Sequence, residues 1–287
     1  VKGAPNSEGS RYDIEGRLRR GRNGPGWATP RRDEVLRDLR QEKLLPAIHF
    51  IFSRAGCDEA RDGLLRAGMN LNDGRESAEV DVRVDRRLAG VPVGDLEALD
   101  VYRWREGLRR GIAAHHAGLL PLFKEITEDL FAAGLLKIVY ATETLALGVN
   151  LPARSVVIDK LTKFTGESHE GLTAGQFAQL TGRAGRRGID VEGHALVCWS
   201  PFVRFGQVAG LAMSRDFVLR SAFRPTYNML ANLISTRPRE EALDLLARSF
   251  GQFQADRLHA EHGERLAAMR AEAAELRAGP GGGAREG

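Results

Sequence analysis

The sequence predicts an α/β protein, with a parallel sheet covered by helices on both faces, then a mainly helical module and a charged helix. Three observations predict it. Short apolar runs rich in Ile and Val alternate with stretches of helical periodicity between residues 44 and 205, the pattern of parallel strands joined by helical crossovers. From about Pro201 the apolar residues recur only at helical spacing. From Arg257 to Ala278 the chain becomes an Ala/Glu/Arg tract with few apolar anchors, the composition of a solvated stalk or coiled-coil arm.

The elements follow in order. Residues 1–30 are rich in Gly, Arg, Asn and Pro without apolar periodicity and read as a linker; residues 31–43 suit a short charged helix. The run Pro46-Ala47-Ile48-His49-Phe50-Ile51-Phe52 is a buried strand, and helix is expected from Cys57 to about Ala67. Residues 70–94 read as polar and irregular, and residues 96–110 as helix. Strands are expected at 111–115, 137–141, 155–159 and 194–199. Between the first two of these, Leu122, Ile126, Leu130 and Phe131 mark a helix that stops at Gly134, a residue suited to the left-handed C-cap. Beyond the sheet, Phe217 to Ile234 and Ala242 to Phe250 suggest further helices, and the Gly-rich residues 279–287 read as disordered. The expected division is 1–43 disordered or linker segment, 44–205 sheet domain, 206–256 helical module, and 257–287 stalk start with a Gly-rich tail.

Composition narrows the function. No apolar run approaches the ~20 residues needed to cross a bilayer, so no membrane partner is expected. The two cysteines, Cys57 and Cys198, are far apart, which argues for a reducing, cytoplasmic setting without a disulfide or zinc framework. The first 43 residues carry 11 basic and 7 acidic side chains and the remainder 31 of each. The folded body is therefore balanced, and any nucleic-acid contact must come from placed groups rather than bulk charge. His115 and His116 are adjacent, so they do not share a face, and no metal site is expected there.

Four segments fall where a parallel sheet presents its loops, the usual place for ligands. They are Phe52-Ser53-Arg54; His115-His116-Ala117-Gly118; Ala141-Thr142-Glu143-Thr144-Leu145-Ala146-Leu147-Gly148-Val149-Asn150-Leu151-Pro152-Ala153; and Gln179-Leu180-Thr181-Gly182-Arg183-Ala184-Gly185-Arg186-Arg187-Gly188-Ile189-Asp190. The last is the most informative. Glycine lets backbone approach a ligand closely, and the arginine fork fits phosphate oxygens. Arg183 and Arg186 are three apart, which in a helical turn would aim both guanidinium groups the same way. The same composition also fits a solvated basic turn. Thr142 and Thr144 fit a helix cap as well as a ligand contact, and Glu143 fits a loop anchor or ion-pair partner better than a catalytic base. Arg187 is expected to face solvent or to pair with Asp190.

In this order, the segments resemble the second RecA-like domain of superfamily 2 helicases, most closely the DExH RNA helicases of the superkiller and exosome-associated branch, including the HelY type. The resemblance covers about residues 44–255 and continues through Lys163-Phe164-Thr165-Gly166, Leu172-Thr173-Ala174-Gly175, Ser221-Ala222-Phe223-Arg224-Pro225-Thr226-Tyr227-Asn228-Met229 and Arg248-Ser249-Phe250-Gly251-Gln252-Phe253-Gln254. It implies a RecA-like sheet domain followed by the start of a winged-helix module and a stalk. It implies that Arg183 and Arg186 reach the γ-phosphate of ATP, and that Gln179, Gly182, Gly148 and Asn150 face the nucleotide. Thr142, with Glu143 beside it, resembles the position that meets an RNA phosphate; Ser53, Arg54, His116 and Gly118 match positions near the strand-binding face. Such contacts go to the backbone and imply sequence-independent binding of single-stranded or structured RNA. An RNA-decay complex is the assembly the resemblance implies.

The phosphate loop Gly-x-x-x-x-Gly-Lys-Ser/Thr of a first motor domain does not occur, and no credible acidic motif for Mg²⁺ does either. ATP and its Mg²⁺ would thus depend on a first RecA-like domain of the same parent chain. The sequence is expected to be a fragment, cut at both ends, and inactive by itself as an ATPase. A DNA-repair helicase of a related branch, or a non-catalytic binding adaptor, stays open as an alternative.

Overall fold

The computed structural model describes residues 29–92, 94, 96, 101–146, 151–164, 168–200, 203–214, 221, 223 and 225–278, with residues 9, 18–21 and 24–27 before them. The chain divides into two compact units, Val1–Phe217 and Val218–Gly287. In chain order the first contains β1 (Leu18–Gly21), β2 (Gly24–Trp27), α1 (Arg32–Gln41), β3 (Ala47–Phe50), α2 (Arg54–Arg66), α3 (Gly74–Leu88), α4 (Val101–Arg109), β4 (Ile112–His115), α5 (Pro121–Ala132) and β5 (Ile138–Ala141). A 3-10 turn at Glu143–Ala146 follows, then β6 (Ser155–Ile158), β7 (Thr162–Phe164), β8 (His169–Gly171), α6 (Ala174–Thr181), β9 (His194–Val197) and α7 (Phe205–Met213).

All five expected strands form, and they make one parallel sheet in the order β4-β5-β3-β6-β9. Side chains alternate along a strand, so each strand feeds two apolar layers. Ile48, Phe50, Val139, Val156 and Ile158 pack with α3, α4, α5 and α6. Ala47, Ile138, Tyr140 and Val157 pack instead with Leu36 and Leu39 of α1 and with Cys57, Ala60 and Leu64 of α2. Such two-sided burial is what makes these strands read as continuous apolar runs.

Local chemistry sets the element ends. Ser53 Oγ accepts from Gly56 N at 3.1 Å, so α2 starts three residues earlier than the apolar spacing suggested. Gly134, with φ +75°, closes α5: its N–H donates to Phe131 O and that of Leu135 to Leu130 O, a Schellman motif. Two expectations fail. Residues 70–94 are not irregular, since α3 occupies 15 of them. Asp73 Oδ1 accepts from Arg75 N and Glu76 N, Glu76 returns a bond to Asp73 N, and Val80, Val84 and Leu88 are buried at intervals of four. Within the leading segment read as a linker, β1 and β2 pair as an antiparallel hairpin, Leu18 opposite Trp27.

The second unit contains α8 (Tyr227–Thr236), α9 (Arg239–Ala247) and α10 (Phe250–Ala278). Thr226 Oγ1 caps α8 through Met229 N, and Ser221 N donates to Gln254 Oε1 at 2.7 Å. α10 runs 29 residues and begins at Phe250, seven residues before the expected stalk start. Phe217 and Leu219 and the Gly-rich tail 279–287 lie outside the described residues. Helix α7, read from the sequence as part of the helical module, falls in the first unit, with Val208 and Leu211 packed on its core. No described helix is long and apolar enough to cross a membrane.

Candidate functional site

Parallel strands deliver their following loops to one edge of the sheet, and three of the four expected segments meet there. Ser53 and Arg54 follow β3, His116 and Gly118 follow β4, and Thr142 and Glu143 follow β5, the strand between those two. Arg54 is exposed, and its Cδ lies 3.6 Å from where a side chain on Gly118 would begin. His116 is buried, and both ring nitrogens are engaged. Its Nδ1 accepts from Gly118 N at 3.1 Å, so Nε2 carries the hydrogen and donates to Asp58 Oδ2 at 2.9 Å. Asp58 also faces Arg61 at 3.1 Å. His116 thereby ties the β4 loop to α2 and shapes the edge rather than presenting a free imidazole. His115 Nε2 meets Glu128 Oε1 at 2.7 Å, and burial lowers its pKa.

Thr142 N donates to His115 O, and its hydroxyl lies 2.9 Å from that of Thr144 at the head of the 3-10 turn. Glu143 binds Lys163 Nζ at 2.7 and 3.1 Å. It is a loop anchor, with a lysine as partner. Gly148 and Asn150 lie outside the described residues.

The glycine–arginine run arrives elsewhere. It precedes β9 rather than following a strand, so it reaches the amino-terminal end of the sheet. There Ala153 N donates to Arg183 O at 2.9 Å and Gly185 N to Ala153 O at 2.7 Å, two residues before β6. The expectation that it shares the carboxyl-end edge is corrected for that reason. The two arginines are not in one helical turn either, because α6 ends at Thr181 and Gly185, with φ +89°, turns the chain away. Arg183 instead sends a guanidinium N–H to Ala146 O. Arg186 forks onto Asp190, Nε to Oδ2 at 2.8 Å and Nη2 to Oδ1 at 2.9 Å. The Asp190 hydrogen bonds raise the Arg186 pKa, and the same bonds hold the Asp190 carboxyl down at about 2. Arg187 is exposed, and it is Arg186 that takes Asp190. Gly185 and Gly193 meet backbone to backbone: a side chain on Gly193 would begin 2.4 Å from Ala184 C and 2.5 Å from Gly185 N.

Thr142 thus lies at the carboxyl edge of the sheet, and Ala153 meets the run at the amino edge. Arg183 clasps the chain at Ala146 and at Ala153. Gln179, exposed near the end of α6, lines a small cavity of about 90 Å³ with Glu143, Ala146, Gln176 and Leu180, and Gly182 is the α6 C-cap. The structure thus joins Gln179, Gly182, Arg183 and the turn after Glu143, while Ser53, Arg54, His116 and Gly118 form a second group with Thr142 on the carboxyl edge. Sequence reasoning offered Asp190 to Arg187 rather than to Arg186, and gave Lys163 and Ala153 no role of their own. An acid four residues after Arg186 was the one available signal.

Comparison with known proteins gives the family. Residues 95–188 match the helicase conserved C-terminal domain. The chain is 54% identical over 240 residues to the probable helicase HelY of Mycobacterium tuberculosis, covering 83% of this chain and 26% of that protein. It is 39% identical over 237 residues to superkiller complex protein 2 of Mus musculus (81% and 19%), and 35% over 243 residues to the antiviral helicase SKI2 of Saccharomyces cerevisiae (83% and 18%). The chain spans about a quarter of the length of the mycobacterial relative. With its RecA-like parallel sheet and its glycine–arginine run clasping the loop after β5, the chain belongs to the superfamily 2 DExH helicases of the HelY and superkiller type.

Proposed function

We propose that this chain supplies the second motor domain of an ATP-dependent RNA helicase, which couples ATP hydrolysis to movement along RNA and to unwinding. The observation that carries the reading is the clasp of Arg183 on Ala146 and Ala153 with Arg186 held beside it. It fixes two guanidinium groups on a glycine-rich turn, the donor set that suits a polyphosphate. Planar forks match phosphate oxygens, and positive charge preorganised at a transferring phosphoryl group is worth ~10³–10⁵ in rate.

In this reading Arg183 and Arg186 meet the γ-phosphate, with Gln179, Gly182, Gly148 and Asn150 facing the nucleotide. ATP supplies the phosphoryl group whose loss drives the cycle. Glu143 and Asp190, two acids near the arginines, are already bound by Lys163 and Arg186. Mg²⁺ coordination is therefore assigned to a first RecA-like domain. Thr142, Glu143, Ser53, Arg54, His116 and Gly118 form the RNA-facing edge, with Arg54 and the Thr142 hydroxyl as the groups open to a phosphate and His116 setting the loop. The expected division into linker, sheet domain, winged-helix start and stalk is kept as part of the proposal. An RNA-decay assembly is the partner class, since one relative is named for the superkiller complex. Free Cys57 and Cys198 fit a cytoplasmic setting.

The test is ATP turnover with and without RNA. The 287-residue chain alone should turn over no ATP, while a parent protein that adds a phosphate-loop domain should show turnover stimulated by single-stranded RNA more than by DNA of the same length. RNA-stimulated hydrolysis by the isolated chain would overturn the division of labour. Preference for DNA would favour the repair-helicase alternative.

A further inference from the structure

On the sheet face covered by α1 and α2, a row of polar side chains crosses an otherwise apolar layer. Successive strands place Tyr140 (β5), His49 (β3), Asp159 (just after β6) and Cys198 (just after β9) side by side. The register makes the row. His49 lies opposite Tyr140 and Val157, and Ile158 lies opposite Val197, so the next residues, Asp159 and Cys198, also stand together. His49 is fully buried, and its Nε2 reaches Asp159 Oδ1 at 3.3 Å, a long bond; its Nδ1 and the Tyr140 hydroxyl are buried without a hydrogen-bond partner. Buried polar atoms left unpaired cost about 1–3 kcal/mol each, so the row is a polar strip whose members do not satisfy one another.

We propose that His49, Asp159 and Cys198 bind a divalent metal ion of the zinc class, leaving one coordination position open. Their donor atoms all lie within 4.8 Å of one another. In a tetrahedral zinc site, bonds of ~2.0–2.3 Å put donors roughly 3.3–3.8 Å apart, so closure needs shifts of about an ångström. Imidazole, carboxylate and thiolate together suit zinc better than magnesium or calcium, which take oxygen donors. Binding replaces the Cys198 S–H bond with a sulfur–metal bond and releases the proton to solvent. Two clefts reach the ligands from outside. One of about 540 Å³ is lined by Asp159, Arg32 and Lys160, and one of about 190 Å³ by Cys198, Leu196 and Trp199. Arg32 opposes a cation, but its guanidinium is 3.9 Å from Asp159 Oδ2 and 31% exposed, so it can turn toward solvent. The row lies on the α1–α2 face, whereas α6 and Ala184 of the glycine–arginine run pack on the other layer. The site is therefore independent of the helicase reading.

Titration of the metal-free 287-residue chain with Co²⁺ tests the proposal. One equivalent should bind with a thiolate-to-cobalt charge-transfer band, and Zn²⁺ should displace it. Cys198→Ser should remove the band and Cys57→Ser should keep it, because Cys57 faces Ile51 O instead. Asp159→Asn, which keeps the shape of the side chain, should weaken binding at least tenfold; Arg32→Gln should tighten it by about tenfold, since it removes a positive charge that lies 3.9 Å from Asp159 Oδ2 and opposes the cation. Thermal unfolding of the wild type should shift upward with Zn²⁺. No band with the wild type, a band that persists in Cys198→Ser, or cobalt bound equally by wild type and Asp159→Asn would overturn the site.

Discussion

Asp190 holds Arg186 in a closed fork: both carboxylate oxygens accept from its guanidinium, and Oδ2 also accepts from the Arg186 backbone N–H at 2.9 Å. Gly185 and Gly188, with φ of +89° and +78°, make the turn that lets the two residues meet. The Asp190 side chain is only 3% exposed and that of Arg186 24%, so the pair is aimed rather than loose.

Removing either partner should separate aim from charge. In a parent protein with a phosphate-loop domain, Arg186→Ala should lower RNA-stimulated kcat by about 10³-fold, the low end for a group reaching a transferring phosphoryl. Asp190→Asn keeps the charge of Arg186 and loosens its placement, so a drop of about tenfold is expected, with circular dichroism unchanged. Wild-type turnover by Arg186→Ala would remove Arg186 from the reaction.

Gly193 has no room for a side chain against Ala184 and Gly185. Gly193→Ala should destabilise the isolated chain by about 1–3 kcal/mol in urea unfolding, the usual range for overpacking. Gly74→Ala at the start of α3, where nothing lies within 4 Å, should leave stability within about 0.5 kcal/mol or raise it slightly. Equal effects of the two changes would contradict the contact.

Asn72 is buried, and its Nδ2 donates to Leu135 O at 2.9 Å and to Arg109 O at 3.2 Å. It bridges the last residue of α4 and the loop after α5, ahead of β4 and β5. Asn72→Ala should cost about 1–3 kcal/mol because a buried carbonyl loses its donor. A midpoint unchanged in denaturant would show that water replaces the amide.

Burial lowers the pKa of His49 and of His115, although Asp159 and Glu128 pull the other way. Both rings therefore stay neutral in the folded chain below the pH where an unfolded histidine gains its proton, about 6.5. The unfolded state binds more protons there, so stability should fall as pH drops through about 6.5 toward the lowered folded values. Thermal unfolding from pH 7.5 to 5 should show this fall, and His49→Gln should flatten its slope. A midpoint that rises with acidification would contradict the assignment.

The sheet was legible because two-sided burial writes each strand as an apolar run. Ile48, Val139 and Val157 announce themselves without context. Helix α3 was missed, because its signal lies in chemistry rather than hydropathy: the Asp73–Glu76 box and the interval Val80–Val84–Leu88 carry it through a mostly charged tract. The site divides the same way. Residue type and spacing selected Arg183 and Arg186, whose guanidinium groups suit phosphate, and the family resemblance added Gln179. They could not reveal that Arg186 is held by Asp190, that His116 spends both nitrogens within the fold, or that the run reaches the amino-terminal end of the sheet. Those facts depend on strand order and on pairings between residues distant in sequence, and neither leaves a periodic trace.

Ala153 joins the loop after β5 to the glycine–arginine run, and it does so with main-chain atoms alone. An alanine scan therefore passes over the position, and side-chain comparison assigns it nothing beyond small size. Proline there would delete the N–H that meets Arg183 O, and a backbone ester would do the same without changing the side chain. Communication between the carboxyl edge of the sheet and the glycine–arginine run would then rest on amide chemistry, which can be interrogated by editing the backbone and not by exchanging residues.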